Sequence, residues 1–534
     1  MAGRLNPHRR LLLLTVLAAG VGLVAGGAAW VLLKLIGLIT NLALFHRLGW
    51  KAPPFTQLHR SPWVVVAAVV GGLLVSLLAK WSPVIRGHGI PEAMEAILTK
   101  QSRIQPRTAI AKPLSAAISI GTAGPFGAEG PIIVTGGALG SLVGQVVAVT
   151  SSERKILLAS GAAAGMAATF GTPLAAAVLA VELLLFEFSR RALIPVIVAS
   201  AVAGGVHATL FGSGPFFAVP DHQFAGLGTL PIFAVLGLFA GLLAVVVAEG
   251  LFIVEHAYRR LPVSEFWHPV IGAVAFASVG LIEPRALGVG YDAITDVLGN
   301  RLALGTIAVL ATVKLVAWWL ALGSGTSGGT LAPILLISAG YGSLFGAGAN
   351  HLLPHLGVSQ GAFALVAMAA VFGAATRATL TSMIFVFELT GDYNAILPLM
   401  LATVLAELVA NNLLRESLMT EKLARRGLRV HADYEVDVLR THTVGELMTV
   451  HPAPRPNDEI DDATVHLGEI ALDAVRRMLD EGVERFSVVN DDNAVVGVCT
   501  LNDILKARAN RFDHETLQHG WLPPMLTRWQ DNDD

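Results

Sequence analysis

The sequence predicts an all-α polytopic membrane domain followed by a small α+β domain, on three observations. Hydrophobic residues make up 54% of the 534-residue chain, charged residues 14%, and 55 residues are glycine. That is a membrane composition, in which glycine lets helices pack closely in lipid. Apolar runs long enough to cross a roughly 30 Å hydrocarbon layer recur: Leu11 to Ile36, Trp63 to Leu78, Leu230 to Ile253 and Leu302 to Leu320 are four of them. After about Leu414 the composition turns charged, as in Asn457 to Asp462, and this shift marks a domain boundary. The chain thus divides into a membrane domain over 1–428, a linker over 429–442, a small domain over 443–510 and a polar tail over 511–534.

The first apolar run follows Arg4, Arg9 and Arg10 like a signal peptide, but it is too long and lacks a convincing small-residue cleavage site, so it reads as retained. Lys and Arg cluster near the amino terminus, between Lys100 and Lys112, at Arg154 and Lys155, at Arg190 and Arg191, and from Arg415 to Arg429. The positive-inside tendency puts these segments and both termini on the cytoplasmic side of a cell membrane. A net charge of −2 and the lack of aromatic-basic interleaving argue against a nucleic-acid partner. The single cysteine, Cys499, excludes an intramolecular disulfide framework and a cysteine-built metal site. No cofactor or metal site is legible.

Within the membrane part, several apolar segments are broken by Gly and Pro, at Gly87 to Pro91, Gly121 to Pro131 and Gly323 to Pro333. Broken helices are tolerated at membrane depth only where the backbone is buried in protein or lines a water-filled path. An internal repeat is also legible. GAEGPIIVTGGALGSLVG from Gly127 matches GTLAPILLISAGYGSLFG from Gly329 at a spacing of 202 residues. PLAAAVLAVEL from Pro173 matches TLTSMIFVFEL from Thr379 at a spacing of 206, aligning Glu182 with Glu388. Two matches in one order argue for duplication; shared Gly/Ala-rich composition is the other source of such matches. In transporters, paired broken segments point at the binding site.

Three interrupted elements carry the chemistry: GHGIP from Gly87, GAEGP from Gly127 and GGTLAP from Gly328. Each joins glycines, which allow close backbone approach, to a proline suited to a first helical turn. The unpaired amides and macrodipole of such a helix start attract anions without a lysine. Dipoles also hold an anion loosely enough for it to leave. Glu129 sits inside one of these starts with no basic residue in its own motif. Ionised, it would compete for the anion's place; protonated or swung aside, it would release that place. The alternative is a helix-start glutamate favoured by the dipole and facing water.

These motifs, with GAAAGMAATFGTPLAAAVLAVE and FELTGDYNAILPLM, resemble the CLC family of chloride channels and proton-coupled chloride transporters over nearly all of the membrane part. The family signatures GSGIP, GREGP and GxFAP read here GHGIP, GAEGP and GTLAP. The resemblance implies a homodimer in lipid, one anion path per subunit, and inverted repeats of broken, tilted helices. It implies that Glu129 is the gating residue. It further implies anion contacts at His88, Gly89, Ile90, Gly127, Ala128, Gly130, Gly329, Thr330, Leu331, Ala332 and Met419.

The chain departs from the family at both hydroxyl donors: His88 stands at the serine position and Met419 at the tyrosine position. A histidine, with an ordinary pKa of ~6.5, can donate a ring N–H and gain charge as pH falls, whereas a thioether donates nothing. His88 therefore reads either as an anion contact that makes transport pH-dependent or as a neutral ring bonded to backbone. Leu183 stands where coupled transporters of the family carry a second glutamate, one residue past Glu182. Leucine cannot relay a proton, so the expected function is channel-like or loosely coupled movement of chloride or a similar small anion. A fluoride-selective or tightly proton-coupled antiporter is the alternative. Glu182 and Glu388 read as structural residues.

From about Thr443, HTVGELMT, AVRRMLDEGVERFSVV and VVGVCTLNDILKAR resemble a single cystathionine-β-synthase (CBS) repeat, a regulatory module. That resemblance makes Thr500 and Asp503 a candidate contact for an adenine nucleotide. The same pair fits a helix capping box, which is the reading favoured here. Gln530 to Asp534 reads as a disordered end. GSGTSGG from Gly323 contains G-x-G-x-x-G but lacks a βαβ context, and no nucleophile–base pair is legible, so the sequence argues against an enzyme.

Overall fold

The computed structural model describes residues 7–218, 224, 226–355, 357–428, 439, 443–455, 463–492 and 494–506. The linker 429–442 apart from Leu439, the polar tail 511–534 with Gln530 to Asp534, and Asn457 to Asp462 lie outside the described residues. The chain divides into two units, Met1–Ala432 and Asp433–Asp534.

In the first unit, two sets of helices follow one another in matching order. The first runs α1 (Pro7–Phe45), α2 (Pro62–Trp81), α3 (Ile90–Thr99), α4 (Thr108–Gly121), α5 (Glu129–Val146), α6 (Ser151–Phe170), α7 (Pro173–Ala180) and α8 (Arg190–Leu210). The second runs α9 (Gly226–Arg259), α10 (His268–Gly280), α11 (Tyr291–Leu298), α12 (Leu304–Gly323), α13 (Leu331–Leu352), α14 (Gln360–Thr376), α15 (Thr379–Thr390) and α16 (Ile396–Leu413). A short α17 (Glu421–Arg425) follows. Each set opens on its longest helix, and a 3₁₀ turn precedes both α3 (Pro83–Ile85) and α11 (Pro284–Ala286). The duplication read from two segments therefore extends over whole sets.

Local chemistry sets the breaks. Before α3 and α11 the chain turns through Gly89 at φ 97° and Gly290 at φ 87°, a left-handed conformation that favours glycine. The Thr150 side chain and Glu153 form a capping box at the start of α6, and Gly171 at φ 68° ends that helix.

Among the described residues, seven helices are long and apolar enough to cross a membrane, and several shorter apolar helices accompany them. Residues 156–170 of α6 and 361–376 of α14 are buried without interruption. A helix buried on all sides is a core helix, so this matched pair forms the centre. The long outer helices turn Leu12, Leu23, Leu238 and Leu242 outward, an apolar surface suited to lipid.

The two sets meet antiparallel. Glu388, late in α15, accepts N–H bonds from Leu174 and Ala175 in the first turn of α7 at 3.1 and 2.7 Å. Glu182, on the π-helical turn that ends α7, accepts from Leu380 and Thr381 in the first turn of α15 at 3.0 and 2.8 Å. Each helix start thus faces the other's end, the arrangement of an inverted repeat.

The second unit is a small α+β domain. Its sheet has the order β1 (Thr449–Arg455), β4 (Val495–Thr500), β3 (Arg485–Val489), β2 (Thr464–His466). β2 and β3 pair in parallel, and β1 with β4 and β3 with β4 pair antiparallel. The helix Ala471–Glu481 buries Ala471, Ala474 and Met478, a stripe at helical spacing, in a core with Phe486, Val488 and Cys499.

Candidate functional site

Gly127 and Gly329, the aligned glycines of the two repeats, bond to each other. The Gly329 N–H donates to the Gly127 carbonyl at 2.9 Å and the Gly127 N–H to the Gly329 carbonyl at 3.3 Å. This antiparallel bridge brings the starts of α5 and α13 together. The first amides of a helix lack partners within it, so two positive helix ends converge here. GHGIP joins them from the side. A Cβ on Gly130 would strike the His88 carbonyl and would lie 3.3 Å from Gly329 Cα. A Cβ on Gly89 would lie 3.5 Å from the Gly130 carbonyl, and the Gly328 N–H points at the Gly87 carbonyl at 3.5 Å. Ile90, Ala128, Thr330, Leu331 and Ala332 are all buried around this junction.

Glu129 occupies the meeting point and is 1% exposed. Its carboxylate folds back over the bridge: a Cβ on Gly127 would collide with it, and one on Gly329 would lie 2.7 Å from Oε2. Oε1 accepts a hydrogen bond from the Tyr291 hydroxyl at 2.8 Å. The backbone N–H groups of Glu129 and Ala332 and the Lys314 ammonium also act on the carboxylate. Oε2 has no well-aligned hydrogen bond.

Two lysines fix the loops that lead into the site. Lys112, fully buried on α4, donates to the carbonyls of Ile85 and Gly87 at 2.8 and 2.7 Å. Lys314, fully buried on α12, donates to the carbonyls of Gly288 and Val289 at 2.7 and 3.4 Å. They lie 202 residues apart, the spacing of the repeat itself. The loops they hold, GHGIP from Gly87 and GVGYD from Gly288, are also repeat partners. Sequence reasoning missed both lysines and Tyr291, although the lysine spacing and the Gly-x-Gly pair were signals that could have found them.

His88 is 2% exposed, and its ring lies against the Leu418 backbone while Nδ1 has no hydrogen-bond partner. The backbone contact engages one side of the ring and leaves Nδ1 buried without a partner. Met419 is fully buried in the same segment. Three residues on, the Lys422 ammonium meets Gly87, where a Cβ would strike it. Lys422 also lines a cavity of about 540 Å³ together with Arg86, Glu92, Arg259, Arg425 and Arg426. Lys100, Glu95 and Glu265 also line it, so six cations face three carboxylates on the wall, while Glu255 and Glu421 pair with Arg259, Arg425 and Lys422. The cavity wall keeps a positive excess suited to drawing in anions.

Leu183 is 4% exposed, beside Glu182 on the π-helical turn. In the tail, the Thr500 hydroxyl and N–H both donate to Asp503 Oδ2, at 2.7 and 2.9 Å, and the Asp503 N–H donates back to Thr500 Oγ1 at 3.2 Å. That is a capping box for the helix at 501–506, and it engages the polar groups of both residues. Among the described residues there is no group of His, Cys, Asp and Glu placed to hold a metal.

Comparison with known proteins agrees with this architecture. A family model described as voltage gated chloride channel matches residues 70–411, and a CBS domain model matches residues 444–510. The H(+)/Cl(-) exchange transporter ClcA of Vibrio parahaemolyticus is 31% identical over 390 residues, covering 68% of this chain and 82% of the relative. A slow cyanobacterial Cl-/H+ antiporter superposes with a TM-score of 0.68 at 24% identity, over 79% of this chain and 98% of the other. A CLC-type fluoride/proton antiporter gives 0.63 at 21%, over 76% and 98%. With its family model matched over more than half its length, the chain belongs to the voltage-gated chloride channel family and carries a C-terminal CBS domain.

Proposed function

We propose that this protein moves chloride or a similar small anion across a membrane, with Glu129 as the gate. The observation that carries the reading is the position of the Glu129 carboxylate, lying where the starts of α5 and α13 converge and where an anion would bind. A carboxylate in that place excludes the anion until it moves or is neutralised. Nδ1 of His88 is a buried polar atom without a partner, and it would stand in for the family's hydroxyls when it carries the proton and donates to the anion on its inner side. Met419 adds no donor there, and the cation-rich cavity at Lys422 feeds that side.

Leu183 favours channel-like or loosely coupled transport, since it offers no group for a proton relay. Tight proton exchange is the second reading, favoured by a relative named as an H(+)/Cl(-) exchange transporter. We further propose a homodimer with both termini cytoplasmic, and a tail whose Thr500 and Asp503 serve the helix cap rather than a nucleotide.

Reconstitution into liposomes tests these points together. Anion efflux is recorded with proton flux, using chloride, nitrate and fluoride, for the parent and for Glu129→Gln. The expected result is chloride efflux faster in Glu129→Gln, with fewer protons moved per anion than a fixed stoichiometry requires. Unchanged efflux in Glu129→Gln removes the gate, and preference for fluoride removes the chloride assignment. A rise in the tail's melting temperature on adding AMP or ATP would restore the nucleotide reading.

A further inference from the structure

We infer that Tyr291 is the latch that holds Glu129 closed, an inference that rests on the gating role proposed above. Its hydroxyl makes the one well-formed side-chain hydrogen bond to the Glu129 carboxylate among the described residues, at 2.8 Å. A bond to a charged acceptor in a dry site is strong and directional. It also exists only while Glu129 folds over the Gly127–Gly329 bridge, because a carboxylate that swings away leaves the hydroxyl behind. The bond therefore stabilises the closed arrangement alone, and a group with differential affinity for one state shifts the equilibrium toward that state.

The donor is fixed independently of the carboxylate. The Tyr291 ring meets Phe170, Phe216 and Phe217 edge-on, at centroid distances of 5.9, 4.9 and 6.3 Å. Such edge-to-face contacts favour one ring orientation. The backbone just before it turns at Gly290, and the two residues before that are tied by their carbonyls to the buried Lys314 ammonium. Ring and loop are thus both held, and no ordering cost falls on the hydroxyl when the carboxylate arrives.

The repeat explains where the latch comes from. GVGYD stands in the second repeat where GHGIP stands in the first, so Tyr291 occupies the position that Ile90 holds in the anion motif. In one repeat this helix start joins the anion junction. In the other, a side chain extends from the same place to the gate.

The test is a double-mutant cycle of chloride efflux from liposomes, comparing the parent, Tyr291→Phe, Glu129→Ala and the double variant. Tyr291→Phe keeps the ring and its edge contacts and removes only the hydroxyl, and Glu129→Ala removes its acceptor, which Gln would keep. The expected result is efflux raised about tenfold in the parent background, with less than a twofold effect once Glu129 is Ala. An equal change in both backgrounds, or no change in the parent, overturns the latch. Glu129→Ala with unaltered efflux overturns the gate itself and the latch with it, so the two failures are distinguishable. Site-specific 3-fluorotyrosine at position 291 covers the case in which Tyr291→Phe does not fold. A more acidic hydroxyl donates more strongly and should slow efflux, a reversal that a packing role would not produce; unaltered or faster efflux counts against the latch.

Discussion

Glu182 and Glu388 each cap the first turn of the helix that carries the other. The bonds run from Leu380 and Thr381 to Glu182 and from Leu174 and Ala175 to Glu388, and they tie the two repeats together at matched positions. A helix start has amides without intrahelical partners, and lipid offers them none. A carboxylate from the opposite repeat meets both needs.

Removing either carboxylate should therefore destabilise the membrane domain. Glu388→Ala strands two amides, at a cost of about 2 kcal/mol. Glu182→Ala strands two amides and the Thr381 hydroxyl, which also donates to it at 2.5 Å, and should cost about 3 kcal/mol. Thermal unfolding in detergent should rank the midpoints parent, Glu388→Ala, Glu182→Ala. The reverse order would contradict the bond count.

The close packing of α5 against α6 predicts a sharp contrast between adjacent glycines. A Cβ on Gly136 would strike the Gly161 carbonyl, and a Cβ on Gly161 would strike the Gly136 carbonyl, so at this crossing backbone meets backbone. A Cβ on Gly137 would instead meet Leu158 at 3.5 Å, an ordinary contact. Gly136→Ala and Gly161→Ala should each lose about 2 kcal/mol or more, since a backbone carbonyl cannot move aside as a side chain can. Gly137→Ala should stay within about 0.5 kcal/mol of the parent. Melting midpoints in one detergent check all three.

Much of this was legible because the glycine and proline patterns at Gly127 and Gly329 depend on local backbone needs that survive duplication. The reciprocal position of Glu182 and Glu388 was visible for the same reason. What they bind was not, because the acceptor and donor lie 198 to 214 residues apart and only the fold joins them. Lys112 counts in the sequence as the end of a cytoplasmic basic cluster and Lys314 carries no motif; a lysine reads as an end that reaches for water, whereas both are fully buried. Tyr291 carries no motif of its own. Its role depends on where the Glu129 side chain points, which no spacing records.

Those two lysines give the next prediction. Lys112 holds the carbonyls of Ile85 and Gly87 immediately before His88, and without the ammonium those oxygens lose their donors in a buried site. They would then turn negative ends toward an anion path, or draw in water to replace the lysine. Lys112→Met should lower chloride efflux at least tenfold in protein that still elutes as a folded species. Lys112→Arg should not rescue it, because a planar guanidinium is larger than the fully buried ammonium and donates in a different geometry. Efflux equal to the parent in Lys112→Met would show that the carbonyls need no clamp, and in Lys112→Arg that the clamp does not depend on ammonium geometry.

Cys499 gives a prediction on the pH dependence of the tail. It lies on β4 opposite Phe486, fully buried in the sheet core. Burial, with a smaller contribution from the Asp503 charge, pushes its thiol up to about 11. Both causes disfavour the thiolate, so the reactive form is scarce below that pH and increases as pH rises toward it. Alkylation proceeds through the thiolate, of which only about one part in a thousand exists at pH 8. Labelling of the intact protein by iodoacetamide should be very slow at pH 8 and speed up about tenfold per pH unit while the fold persists. Denaturation in SDS at pH 8 should make it fast, because the thiol regains its ordinary acidity. The chain has no other cysteine, so the mass shift reports this site alone. Rapid labelling of the folded protein at pH 8 would mean that the β3–β4 core opens far more readily than its packing implies.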